Sequence, residues 1–193
     1  MGDDGLVLPF PARVAGWLKQ ATARHPVFFM HGNRDFLVAQ RFARETGVTL
    51  IVDPITIDLY GTPTQLLHGD TLCTDDHAYQ AFRAQVRDPA WQKAVLARPV
   101  AERLALALQM RGDSEGAKLG KSMEIMDVNA AAVERAFADS GCKQMIHGHT
   151  HRPQRHVHRV GGVERVRWVL ADWYERASYL EASPAGVRAV TAP

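Results

Sequence analysis

The feature that most constrains this chain is a pattern that occurs three times, a short apolar run ending in a glycine-containing polar loop. Val27-Phe28-Phe29-Met30 meets His31-Gly32-Asn33, Gln65-Leu66-Leu67 meets His68-Gly69-Asp70, and Gln144-Met145-Ile146 meets His147-Gly148-His149-Thr150-His151. Short continuous apolar runs bounded by turn signals read as strands of a sheet covered on both faces. The ends of such strands are where open α/β sheets build their sites. A chain of 193 residues with 46% apolar content has enough material for one domain with a real core. The expectation is therefore a single α/β domain, residues 1–193, whose strand ends carry histidine, asparagine and aspartate.

Between those strands the pattern changes period. Residues 36–46 place Leu37, Gln40, Arg41, Arg44 and Glu45 at helical spacings and stop at Gly47. Residues 48–52 and 55–60 are rich in β-branched side chains and read as strands joined by a turn at Asp53-Pro54. From Asp75 to about Phe137 the composition is helical, broken by Pro89, Pro99 and the polar stretch 111–121, which predicts three or four helices. Trp91, Val95, Leu96, Val100, Leu104 and Leu108 form an apolar stripe there. Such a stripe is most simply a helical hairpin packing on the sheet; the sharper alternative is an apolar cap over a lipid-bearing substrate. Segments near 155–160, 163–170, 177–181 and 187–190, with Gly161-Gly162 as a turn, predict an antiparallel set closing the chain.

Composition excludes several classes of function. Lys plus Arg number 23 against 21 Asp plus Glu, and no run of five like charges occurs, so the chain lacks the basic stripe of a nucleic-acid binder. Cys73 and Cys142 form no CxxC pair, which favours a reducing compartment. Met1-Gly2-Asp3-Asp4 is acidic where a signal peptide needs positive charge, and no apolar run reaches membrane-spanning length. A cytoplasmic protein is expected.

The strand-end residues suit a metal. Neutral imidazoles and a side-chain amide, set by rigid strand ends, match a divalent manganese, iron or zinc ion. On an extended segment His149 and His151 point the same way, so both would face one pocket. His25, His77, His156 and His158 lack that context and read as surface or packing residues. A competing view makes the run from His147 to His158 a structural zinc module, which would need four closed ligands.

The order Gly32-Asn33, His68-Gly69-Asp70, Gly148-His149-Thr150-His151 resembles the calcineurin-like metallophosphoesterases, except that Arg34 stands where their motif has histidine. With His31-Gly32-Asn33-Arg34-Asp35-Phe36-Leu37, residues 68–76, Tyr79-Gln80-Ala81-Phe82-Arg83, Ile125-Met126-Asp127-Val128-Asn129 and residues 146–153, the chain is similar end to end to the UDP-2,3-diacylglucosamine pyrophosphatases (hydrolases) of lipid A biosynthesis. The resemblance implies an α/β sandwich of mixed sheets flanked by helices, with a helical cap inserted at about 75–125. It implies two manganese (Mn2+) ions, Asn33, His68 and His149 binding the second and His151 the first. It implies substrate contacts from Asn33, Arg34, Asp76, Ser114, Lys121 and His149, with Lys118 at a position for which a neutral amide is the family alternative. Without the resemblance, Arg34 reads as a partner of Asp35, and the loop residues read as solvated side chains.

The activity so implied is hydrolysis of UDP-2,3-diacylglucosamine to UMP and 2,3-diacylglucosamine 1-phosphate by a metal-bound water, at the cytoplasmic face of the inner membrane as a peripheral protein. The family's Asp-x-His and Gly-Asp ligand segments do not precede Asn33, and Gly2-Asp3-Asp4 looks like the tail of the family's segment after that Gly-Asp. The first βαβ unit is therefore expected to be missing, with exposed apolar surface and impaired hydrolysis as consequences. The alternatives are a metallophosphoesterase for another phosphodiester and an inactive metal- or lipid-binding remnant.

Overall fold

In the computed structural model the first long element is α1 (Pro9–Thr22), preceded by a 3-10 turn at Asp3–Val7. No element is expected here from the sequence, and Pro9 and Pro11 both lie inside the helix. The prolines fall in the first turn, where no intrahelical N–H partner is required, so they start the helix and do not end it. The structure describes residues 2–118 and 125–192. These fall into two units, one within Met1–Val52 and His77–Ser122, the other within Asp53–Asp76 and Met123–Pro193.

The first unit continues through β1 (Phe28–Met30), α2 (Gln40–Thr46) and β2 (Thr49–Ile51), then α3 (His77–Arg87), α4 (Pro89–Leu96) and α5 (Val100–Lys118). β1 and β2 pair in parallel, Phe28 opposite Thr49 and Met30 opposite Ile51. β1 does not have two covered faces as its apolar run suggests, since Phe28 is 62% exposed. Helix α2 begins four residues later than its periodicity implies, for a tertiary reason. The carboxylate of Asp3 accepts the N–H groups of Ala39 (2.7 Å), Arg41 (2.8 Å) and Phe42 (3.1 Å), capping α2 from far away in the chain. Gly47, with φ 79°, closes it as expected.

Asp88 caps α4 by accepting Trp91 N–H at 2.8 Å, with Pro89 at the first helical position. Helix α5 runs straight through residues 111–118, which sequence reading treats as a break. Gly112 and Gly116 cost helix propensity of about 1 kcal/mol each, but neither meets a neighbour and both lie on the exposed surface. The apolar stripe is split: Val95 is buried, whereas Leu104 and Leu108 are 40% and 62% exposed. Among the described residues of α5 the buried one is Arg103, whose guanidinium pairs with both oxygens of Asp4.

The second unit holds a five-stranded mixed sheet. β3 (Ile55–Leu59) and β4 (Thr62–Leu67) form a hairpin whose turn residues Tyr60 and Gly61 both have positive φ, 53° and 83°. After a 3-10 turn at Asp70–Leu72 come α6 (Ala130–Ser140), β5 (Gln144–His147), β6 (Gln154–Val160) and β7 (Val163–Val169). The order is β3-β4-β5-β7-β6, with β4, β5 and β7 mutually parallel and antiparallel pairs at both edges. Gly161 and Gly162 make the β6–β7 turn. β8 (Ser178–Ser183) and β9 (Gly186–Thr191) pair as a separate hairpin.

Asn129 caps α6 through Ala132 N–H at 3.0 Å, and Gly141 ends it at φ 66°. The i, i+4 pair Val133 and Phe137 of α6, both fully buried, packs with Leu67, Leu72 and Met145 into the core of this unit. That core fixes the C-terminal ends of β4 and β5 side by side. The loops carrying His68 and His149 start from there.

Candidate metal centre

β4 and β5 are in parallel register, Leu67 opposite His147, so the residues after them leave the sheet together. Gly148 N–H donates to His68 O at 3.0 Å and ties the two loops. The backbone N–H of His68 also donates to Asp53 Oδ1 at 3.1 Å. From this frame His149 Nδ1 lies 3.2 Å from His68 Nε2, the rings meeting edge to face at 5.0 Å. Both residues are partly buried.

The loop 148–151 is not extended. His149 and His151 have φ 68° and 55°, a left-handed conformation that a residue with a Cβ adopts at a cost. Alternation along a strand therefore does not apply to these two histidines. His151 instead sets its Nδ1 3.3 Å from Asp172 Oδ2, with Tyr174 beside the ring, and its side chain is 47% exposed. Asp172 escapes a sequence reading because it lies in the irregular stretch after β7; the only signal is a lone carboxylate between Ala171 and Trp173.

Arg152 pairs with Asp127, which binds the same loop to the lead into α6. Burial opposes the charge on Asp127, but the N–H of Val128 and the Arg152 guanidinium outweigh it and hold the carboxyl below its ordinary value. Beneath the loop, His147 is fully buried, and desolvation pushes its pKa down to about 4. Cys73, buried behind Asp70, has its thiol pushed up to about 12, first by desolvation and then by the neighbouring carboxylates, so it is inert as a nucleophile.

In the first unit, Asn33 and Arg34 follow β1 in a loop whose backbone is bonded by the side chains of Asp35, His31 and Arg87. Asp35 Oδ1 accepts Gly32 N–H at 2.5 Å, His31 Nε2 donates to Val38 O at 2.8 Å, and Arg87 donates to Gly32 O at 3.0 Å. Asp35 is thus occupied by backbone. Arg34 is exposed and makes no ion pair among the described residues, so pairing with Asp35 does not explain it. Asp76 is buried at the end of the loop that follows β4, and Ser114 sits exposed on α5. Lys118 is the last residue of α5, and Lys121 lies outside the described residues.

Among the described residues no three His, Cys, Asp or Glu side chains converge as a ready metal cage, and the histidines from His147 to His158 do not form one. The test of a divalent cation rests on the His68–His149 pair. Two imidazole nitrogens each about 2.1 Å from one ion lie about 3.0–3.4 Å apart at right or tetrahedral angles. The observed 3.2 Å falls inside that interval. Next to His149 in the chain, the buried Oγ1 of Thr150 has no hydrogen-bond partner among the described residues, a polar atom left for a ligand or a water. The donor set fits.

No family model matches the chain. Curated relatives do. The chain is 49% identical to the UDP-2,3-diacylglucosamine hydrolase of Bordetella pertussis over 175 residues, 90% of this chain and 68% of that protein. It is 48% identical to the enzyme of that name from Cellvibrio japonicus over 180 residues, 93% and 75% of the two chains. With the Shewanella loihica enzyme of the same name, 44% identity extends over 100% of this chain and 78% of the relative.

Proposed function

This chain belongs to the family of UDP-2,3-diacylglucosamine hydrolases, and from that premise we propose that its site serves hydrolysis of the pyrophosphate bond of UDP-2,3-diacylglucosamine, giving UMP and 2,3-diacylglucosamine 1-phosphate in lipid A biosynthesis. The observation that carries the reading to this site is the 3.2 Å approach of His68 and His149 at the ends of parallel strands.

His68 and His149 would hold a manganese ion, with His151 offered to a second. Such a cation supplies charge for the phosphoryl oxygens and acidity for an attacking water. Arg34, exposed and without an ion-pair partner among the described residues, binds diphosphate oxygens through its two-pronged guanidinium. By the family resemblance, Ser114, Lys118 and Lys121 would contact the glucosamine diphosphate. No described helix is long and apolar enough to cross a membrane. A diacylated product favours peripheral attachment to the inner membrane's cytoplasmic face, and α1 has a suitable ridge. Phe10 and Trp17 are 63% and 56% exposed, Arg13 stacks over both rings, and α1 carries no acidic residue.

Prolonged incubation with manganese and UDP-2,3-diacylglucosamine in 18O-water, followed by 31P NMR and mass spectrometry, tests the reading. The expected products are UMP carrying the label and unlabelled sugar 1-phosphate. Failure to bind the sugar nucleotide, or cleavage of simple nucleotide diesters in its place, overturns it. Flotation with anionic vesicles tests the attachment; the F10A/W17A variant should float less, and equal flotation removes α1 from the account.

A further inference from the structure

Arg167, at the centre of β7, is 5% exposed and lies beneath the candidate centre. Its Nη1 donates to His147 Nε2 at 2.9 Å and its Nε to His158 Nε2 at 3.1 Å. On its other side, the His147 ring places Nδ1 2.9 Å from Gly148 O. A guanidinium only donates and a carbonyl only accepts, so these partners leave one tautomer for His147: proton on Nδ1, lone pair on Nε2.

That tautomer reaches the site through a peptide plane. Gly148 O accepts from His147 Nδ1 and from Thr150 N–H at 2.8 Å, while Gly148 N–H donates to His68 O at 3.0 Å. The Gly148 carbonyl belongs to the peptide whose rotation defines φ of His149, the angle found at 68°. Two donors on one carbonyl hold that plane where His149 faces His68. The ring of His147 has room there because Gly69 lacks a Cβ, which would stand 2.7 Å from His147 Nδ1.

We propose that Arg167 is a positioning residue: by donating to His147 Nε2 it fixes the Nδ1–H tautomer that pins the Gly148–His149 peptide and holds His149 against His68. The proposal deepens the metal-centre reading above, but its test is made on the metal-free protein, so it stands or falls apart from hydrolysis.

Multiple-bond 1H–15N NMR of the full chain reads the His147 tautomer, and ring-proton NOEs read the His68–His149 contact. The wild-type protein should show Nδ1–H at His147 and a His68–His149 NOE. In Arg167→Lys, which keeps charge but loses the fork, the tautomer should become mixed and the NOE weaken several-fold. His158→Asn, which removes only the second partner of Arg167, should leave both signals. An Nε2–H tautomer in the wild-type protein overturns the proposal without any variant. So does a folded Arg167→Lys with unchanged tautomer and NOE, which would make Arg167 packing alone. Manganese affinity, measured in parallel, should fall about 10–100-fold in Arg167→Lys. A wild-type protein with the NOE but no manganese binding would refute the metal reading and leave the positioning role in place.

Discussion

Replacing Gly69 by alanine should damage this protein more than the same substitution at Gly61. Gly69 has φ 108° and ψ −11°, a conformation nearly reserved for glycine, and adopting it with a Cβ costs about 1–3 kcal/mol. The new Cβ would also sit 2.7 Å from His147 Nδ1 and 3.0 Å from Gly148 O. Neither neighbour moves freely, since one is a fully buried ring bonded on two sides and the other is backbone tied to both loops. Overpacking of that kind adds about 1–3 kcal/mol. The sum is about 2–6 kcal/mol, or a fall in Tm of about 5–20 °C at this chain length. Gly61→Ala is the control, because Gly61 has φ 83° but nothing within 4 Å of its Cβ site. Urea and thermal denaturation of both variants separate the close approach from the backbone term. Equal destabilisation by the two substitutions would refute the packing of His147 beneath the loops.

Removal of Asp4 (Asp4→Ala) leaves the buried Arg103 without its carboxylate and should cost about 1–3 kcal/mol in chemical denaturation, restored largely by adding Arg103→Met. The buried His147 titrates near 4 in the folded state against 6.5 when unfolded, so the unfolded chain binds the extra proton between those values. The His147 contribution should therefore be full above about pH 6.5 and fall by about 3 kcal/mol on acidification to about pH 4, so the slope should be shallower in His147→Asn, where only the smaller contributions of His156 and His158 remain. Calorimetric titration should show His149→Ala losing at least about tenfold in manganese affinity at the His68–His149 ion, with His151→Ala losing less there because His151 is offered to the second ion. Equal losses would put both histidines on one ion.

The strand ends are legible in the sequence because each apolar run stops where glycine and polar residues begin, and β4 and β5 lie at those places. Helix α6 is legible only in part, as the end of the helical composition that runs from Asp75 to about Phe137. The features that escape depend on contacts distant in the chain. Asp3 caps α2 from 36 to 39 residues away, which no local period encodes. Arg103 reads as a solvated cation within an apolar stripe until Asp4 is brought to it. At the site, His68 and His149 are legible by motif, but the left-handed turns at His149 and His151 are not. Those turns redirect His151 toward Asp172, and Arg167 joins the site only through the pairing of β7 with β5 and β6.

Titration of Mn2+ into the 15N-histidine-labelled protein tests the central claim most directly, since paramagnetic broadening marks the rings that hold the ion. The His68 and His149 signals should vanish first, at substoichiometric metal, while His25 and His77 persist. Broadening that begins elsewhere and leaves His68 and His149 sharp would contradict a metal centre at this pair.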